Sequence, residues 1–309
     1  MLKVVVKQHA IQIGDRFMLS LQRTLRIPND GKIYPLPPGL GVFPIYPVSD
    51  YSESLPADWN QDNHFFIPMY QREALWFGFI AAEWKPNAVM VGIGKVNAVS
   101  GESNLNFLHN DLQNYLVCPP QPWLDGINFG DGSIRQFVAM PLGLGVTVEA
   151  EITGREIAGA IQVKVFDAKE GVFPEQPPAE RKQEPVRSAA MSGMSVMGLA
   201  AGGQMKQKIY PDPYGIDVWD MDNFGELTIH IVNSKMFHDI TGQKCPSTPV
   251  DTAAYTNHGF PWFDLYDEKE ADVSPPESLA KIKGLEDIDT SVDINIRDTQ
   301  IEKLGKKGV

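Results

Sequence analysis

The chain predicts a mainly β protein, an antiparallel β-sandwich of jelly-roll-like kind with a few short helices in its C-terminal third. Three observations carry this expectation. Apolar residues alternate with polar ones in short runs, as at Leu2/Val4/Val6, Phe17/Leu19/Leu21 and Ile161/Val163/Val165, the signature of strands with one face in a core and the other in water. Turn residues punctuate these runs, with 27 glycines and 24 prolines spread over 309 residues, so the elements are short. Strands do not alternate with long helical patterns, as they would in a parallel α/β sheet.

Taken in order, Leu2 to Val6 and Phe17 to Leu21 flank Gly14 and Asp15 and predict an antiparallel hairpin. Pro35, Pro37, Pro38, Pro44 and Pro47 then exclude a helix and give an extended segment. Strands follow at Leu75/Phe77/Phe79 and Val89/Val91/Ile93, the latter with Gly92 and Gly94 on its other face, where another element can approach closely. The cleanest alternation is Val146 to Ile152, read as a strand paired with Ile161 to Val165 across the turn at Gly154.

The stretch from Asp167 to Arg187 holds nine charged residues and four prolines and reads as a linker or excursion. Ser188 to Met205 carries no charge, yet its Gly, Ala, Ser and Met content is too weakly apolar for a membrane helix. A close-packed connection or an oligomer contact is the plainer expectation. Later come a strand at Leu227/Ile229/Ile231, a short helix from Ser234 to Gly242, and a helix from a Ser274–Glu277 capping box to about Lys283. Val292/Ile294/Ile296 suggest a last strand. Residues 1–167 thus form the expected sandwich body and 168–190 a charged, proline-rich linker. Residues 191–309 add a Gly/Met-rich connection and an acidic α+β segment that completes the same sandwich.

Composition narrows the function classes. Apolar content of 43% and charged content of 21% are those of a soluble globular protein. Of the net charge of −12, most falls in the last third, where residues 211–309 hold 19 of 39 acidic but only 9 of 27 basic side chains. Such a surface repels phosphate backbones and anionic lipid, so no nucleic-acid partner is expected, nor a transmembrane segment. The N-terminus reads as a strand without a signal peptide, and Cys118 and Cys245 match no zinc or redox spacing, which together point to the cytoplasm.

Motif tests are mostly negative, and no cofactor is expected. The Gly-x-Gly pairs at Gly39/Gly41, Gly92/Gly94, Gly130/Gly132 and Gly143/Gly145 lack the third glycine of a dinucleotide fingerprint. Gly193-Met194-Ser195-Val196-Met197 begins like a nucleophile elbow but has methionine at its last glycine position. Asp220-Met221-Asp222-Asn223-Phe224-Gly225 begins like a calcium loop and fails at Phe224, leaving an improvised site from Asp217, Asp220 and Asp222, set against ordinary turn roles. The metal candidate is His230, His238 and Asp220, set against satisfied or capping histidines.

The most informative pattern pairs tryptophan with an acid. Pro122-Trp123-Leu124-Asp125 and Pro261-Trp262-Phe263-Asp264 share Pro-Trp-apolar-Asp, and Val218-Trp219-Asp220 is a variant. The ligand candidates are therefore Trp123, Asp125, Asn128, Asp131, Arg135, Tyr214, Asp217, Trp219, Asp220, Asp222, Trp262 and Asp264. Rings that stack on sugars, flanked by groups that bind hydroxyls, would suit a carbohydrate site on a sandwich rim, whereas the plainer role of such tryptophans is core packing. The expected function is a non-catalytic binding or structural module for a glycan or protein ligand, able to self-associate into a homo-oligomer. The alternatives are a metal-dependent or two-carboxylate hydrolase and a pore-forming β protein inserting Ser188 to Met205.

Overall fold

The computed structural model describes residues 1–37, 39–59, 62–103, 105–177, 196–244 and 272–285. It opens as a meander of β1 (Val4–Lys7), β2 (Ala10–Ile13) and β3 (Phe17–Thr24). The expected hairpin gains a strand because Gln8 takes a left-handed φ of 57° and turns the chain before Ala10. Two short strands flank and end the proline-rich segment, β4 (Ile33–Tyr34) before it and β5 (Tyr46–Pro47) at its close. Next come β6 (His64–Pro68), β7 (Ala74–Ile80), β8 (Asn87–Ile93) and β9 (Val96–Asn97). They are followed by β10 (Leu116–Cys118), β11 (Trp123–Leu124), β12 (Gly126–Gly130) and β13 (Ser133–Pro141). Helix α1 (Val148–Thr153) precedes strands β14 (Ile161–Ala168), β15 (Val196–Lys206) and β16 (Trp219–Val232), which complete the sheet; α2 (Ser234–Thr241) packs on the outer face, and α3 (Glu277–Ala280) puts Leu279 into the main core.

The sixteen strands of the described residues belong to one hydrogen-bonded sheet with the main path β1-β2-β3-β7-β13-β15-β16-β14-β8-β10, and β4, β5, β6, β9, β11 and β12 pair off it. Pairing is antiparallel except where β4 meets β15 and β6 meets β16. One buried cluster draws alternate residues from both arms of this path, Leu19, Leu75, Phe77 and Phe137 from one and Val91, Val163, Leu227 and Ile229 from the other. A large twisted sheet that curls over on itself buries its apolar face in this way. At the far end of the path Leu2 donates its backbone N–H to Phe224, which brings the first strand to β16.

Three expectations change. Val146 to Ile152 is not a strand, because Thr147 caps a helix by accepting the Ala150 N–H at 3.2 Å and Gly154 ends it in the left-handed region. Its apparent wet face is also wrong, since Glu149 is buried and accepts the backbone N–H groups of Ile157, Ala158 and Gly159. β14 pairs instead with β16 and β8. The last helix is shorter than its capping box implied and has no side-chain cap, with Pro276 before its first residue. Finally, the half of the uncharged run that the structure describes is β15, in the middle of the sheet. There a Cβ on Gly203 would overlap the Pro28 carbonyl, so the missing side chain lets the Ile27–Pro28 segment lie close on the strand. The strand expected at Val292/Ile294/Ile296, and Cys245, lie outside the described residues, while Cys118 is buried in the core on β10.

Alternation fixes which side chains leave the core. On β8, β14, β16 and β6 the core takes Val91, Val163, Ile229 and Phe65, so Gly92, Gln162, Thr228 and His64 face outward side by side in register. Two apolar covers sit on this outer face. One joins Val48, Trp59, Phe66, Val232, Phe237 and Ile240 under α2, and the other joins Met90, Leu108, Tyr115, Phe166 and Trp219. Between the covers the outward residues turn polar, and the face stays open.

Candidate functional site

That uncovered strip is a groove of about 480 Å³. Its floor is built from two cross-strand rows, Gly92–Gln162–Thr228–His64 and Met90–Lys164–Glu226. Lys95, Ser103, Leu105, Asn106 and Asp62 form the walls. The Leu105 side chain occupies the space where a Cβ of Gly92 would lie, so the missing side chain lets the wall at Leu105 settle on the sheet. The Gln162 carbonyl oxygen accepts the Lys95 N–H at 2.8 Å and fixes the second wall. Lys164 sits 3.1 Å from Glu226 across the strand pair and 4.3 Å from the Phe224 ring centre. With Asp62 and Glu226 against Lys95 and Lys164, the formal charge of the lining is balanced. A half-open concavity offering amides, hydroxyls and one balanced ion pair can hold a small polar molecule through several hydrogen bonds at once.

His64, which lines the groove, meets His230, which lies beyond the lining. The parallel register of β6 on β16 sets His64 opposite Thr228, one outward step from His230. Nδ1 of His64 lies 3.1 Å from Nε2 of His230. Trp59 stacks on the His230 ring with centroids 3.7 Å apart and planes 11° from parallel. Burial pushes the His230 imidazole down to about 3, with His64 nearby as a smaller cause. His64 is also lowered, mainly by burial and against a raising contact with the Trp59 backbone. Both rings are therefore neutral at pH 7.

The residues singled out from sequence lie elsewhere. Asp125 and Asp212 belong to a polar seam that fastens the chain after β15 onto the segment around β10 and β11. Gln207 bonds the Asp125 N–H and carboxylate, each at 2.9 Å. Gln121 donates to the Lys208 carbonyl and accepts the Tyr210 N–H, while Gln113 does the same for Tyr210 and Asp212. Asp212 then accepts Tyr115 Oη–H at 2.6 Å and Trp219 Nε1–H at 2.8 Å. Trp219 is fully buried, Asp125 is 3% exposed, and Trp123 stands edge-on to Trp76. Burial raises the Asp125 carboxyl to about 8 against hydrogen bonds from Gln207 and Trp123.

Asn128 binds the backbones of Val99, Val273 and Gly130, Asp131 occupies the β12–β13 turn with φ of 50°, and Arg135 lies over the Phe129 ring. Tyr214 packs edge-on against Phe173 and Trp219. Asp217 offers its carbonyl to Lys169, and Asp220 accepts the Asp222 N–H in a local turn. Asp220 and His230 are ten residues apart on β16, about 33 Å at strand rise, and exposed His238 meets the Gln243 carbonyl at the end of α2. These three side chains do not converge. Among the described residues no group of three His, Cys, Asp or Glu side chains could hold a metal ion, and Trp262 and Asp264 lie outside them. No helix among the described residues is long and apolar enough to cross a membrane.

Sequence reasoning missed His64, Gln162, Lys164 and Thr228. The alternation of β14 and β16 marks three of them as outward-facing, but nothing local marks His64 as a partner of a residue 166 positions away. Comparison with models of protein families, with curated proteins and with solved structures finds no match to this chain.

Proposed function

We propose that the protein is a non-catalytic binding module that takes a saccharide-sized, polyhydroxylated ligand in the groove across β8, β14, β16 and β6. The observation that supports this reading is the strip of outward polar side chains left open between two apolar covers on an otherwise covered face. Gln162, Thr228, Ser103 and Asn106 supply neutral donors and acceptors, and the balanced lining favours an uncharged ligand. In this reading the Trp–Asp elements act indirectly, because the buried Trp219 and Asp125 hold the surrounding frame.

A panel of mono-, di- and trisaccharides titrated calorimetrically is the test, with Gln162→Ala and Thr228→Ala each expected to weaken any binding about fivefold, as for one neutral hydrogen bond. Absence of binding across the panel, or binding indifferent to both variants, overturns the reading. A hydrolase is the second reading, supported by the two carboxylates Asp62 and Glu226 on the groove. It requires product release that Glu226→Gln abolishes. Self-association rests on exposed Ile80, Phe107 and Ile157, and a light-scattering mass of one chain at micromolar concentration counts against it.

A further inference from the structure

We infer that His64 and His230 together form a two-imidazole site for a borderline divalent cation, of the Zn²⁺, Ni²⁺ or Cu²⁺ class, at the end of the groove. The facing atoms are Nδ1 of His64 and Nε2 of His230, 3.1 Å apart. Two unprotonated imidazole nitrogens repel at this distance unless a proton or a cation lies between them. Nitrogens bound to one tetrahedral ion at about 2.0–2.1 Å stand ~3.3 Å apart, so the pair needs little adjustment to become two ligands.

The surroundings of both rings support this assignment. The His64 ring, whose Nδ1 faces His230, also has a hydrogen-bond contact with the Trp59 backbone. This is the outer contact that orients a metal-binding imidazole. Trp59, stacked 3.7 Å away, fixes the plane of His230. His64 lines the groove and is only half-buried, which gives an ion its path, and Asp62 on the same wall attracts it. Two protein ligands leave the remaining coordination positions to water, so the affinity is that of a two-histidine site and not of a closed structural one. Imidazole donors select these cations over calcium and magnesium.

The test uses the untagged full chain, stripped with chelator and titrated with ZnCl₂ at pH 7 by calorimetry. One ion per chain is expected, with affinity falling at least tenfold in His64→Gln and in His230→Gln and unchanged in His238→Gln. His64→Gln is the decisive variant because its ring is partly exposed, and circular dichroism confirms its fold. As a second readout, Cu²⁺ should quench part of the tryptophan emission, and Trp59→Phe should remove that part. No saturable binding, binding that survives His64→Gln, or quenching indifferent to Trp59→Phe overturns the inference.

Discussion

Asp125 makes the stability of this protein depend on pH in a direction opposite to that of an ordinary salt-bridged carboxylate. Its carboxyl is raised from 3.8 to about 8 by burial, with Gln207 and Trp123 offsetting part of the effect. The folded chain therefore holds a proton that the unfolded chain releases above pH ~4. The stability associated with this group is fully present below pH ~4 and is lost as pH rises towards 8. Each pH unit in that window costs about 1.4 kcal/mol, and the whole window at most about 6 kcal/mol. Asp125→Asn removes the titration while keeping a carbonyl oxygen for the Gln207 amide, which now donates at 2.9 Å. Urea unfolding of both proteins at pH 5, 6 and 7 measures the effect. The stability of Asp125→Asn relative to the parent should rise by about 1.4 kcal/mol per pH unit, and the variant should be the more stable at pH 7. Parallel stability curves over this range would refute a neutral Asp125 in the folded protein.

Other perturbations have expected outcomes of similar clarity. Asp212→Ala strands the Tyr115 hydroxyl and the Trp219 indole N–H and should cost about 3–5 kcal/mol in urea unfolding, with a shifted tryptophan emission. Arg23→Met leaves the fully buried Glu73 without the guanidinium now 2.6 Å away and should destabilise by about 3–5 kcal/mol, whereas Arg23→Met with Glu73→Leu should recover most of it. Thr147→Ala removes both the α1 cap and the 2.7 Å hydrogen bond to Glu156 and should lower stability by about 1–2 kcal/mol, seen as a drop in Tm.

The strands that pair in the centre of the sheet were readable because their alternation reflects burial on one side only. Leu75/Phe77/Phe79, Val89/Val91/Ile93, Ile161/Val163/Val165 and Leu227/Ile229/Ile231 all point into one core. The same rule failed at Val146 to Ile152, where period-2 hydrophobicity coexists with a threonine cap, a glycine stop and a buried glutamate. Over six helical residues, capping outweighs alternation, because each end group satisfies backbone donors or acceptors that a strand would leave to a neighbour. The Trp–Asp pattern has a structural source as well. A tryptophan beside an aspartate is equally what a packed ring needs to satisfy its indole N–H, and Asp212 does this for Trp219 from seven residues away.

The groove was hidden because it is a property of pairing and not of any one segment. Gln162, Lys164, Glu226 and Thr228 are ordinary outward residues of two antiparallel strands, which any wet sheet face would show. They become a site only because both ends of the same face are covered. At one end Phe66 and Val232 draw α2 and Trp59 onto the sheet, and at the other Met90 and Phe166 draw in Tyr115 and Trp219. Had the outward positions of β14 and β16 been apolar throughout, hydrophobic burial would favour a single continuous cover and no groove. Phe166 and Val232 mark where polarity gives way to apolar contact, four residues past Gln162 and four past Thr228. Extending the apolar face with Thr228→Val, which leaves the Gln162–Lys95 hydrogen bond in place, should therefore draw the walls inward. Protection of the Ser103, Leu105 and Asn106 amides against hydrogen exchange should then rise at little cost in stability, and unchanged protection would mean that the walls are held by the contacts of Leu105 and Lys95 alone.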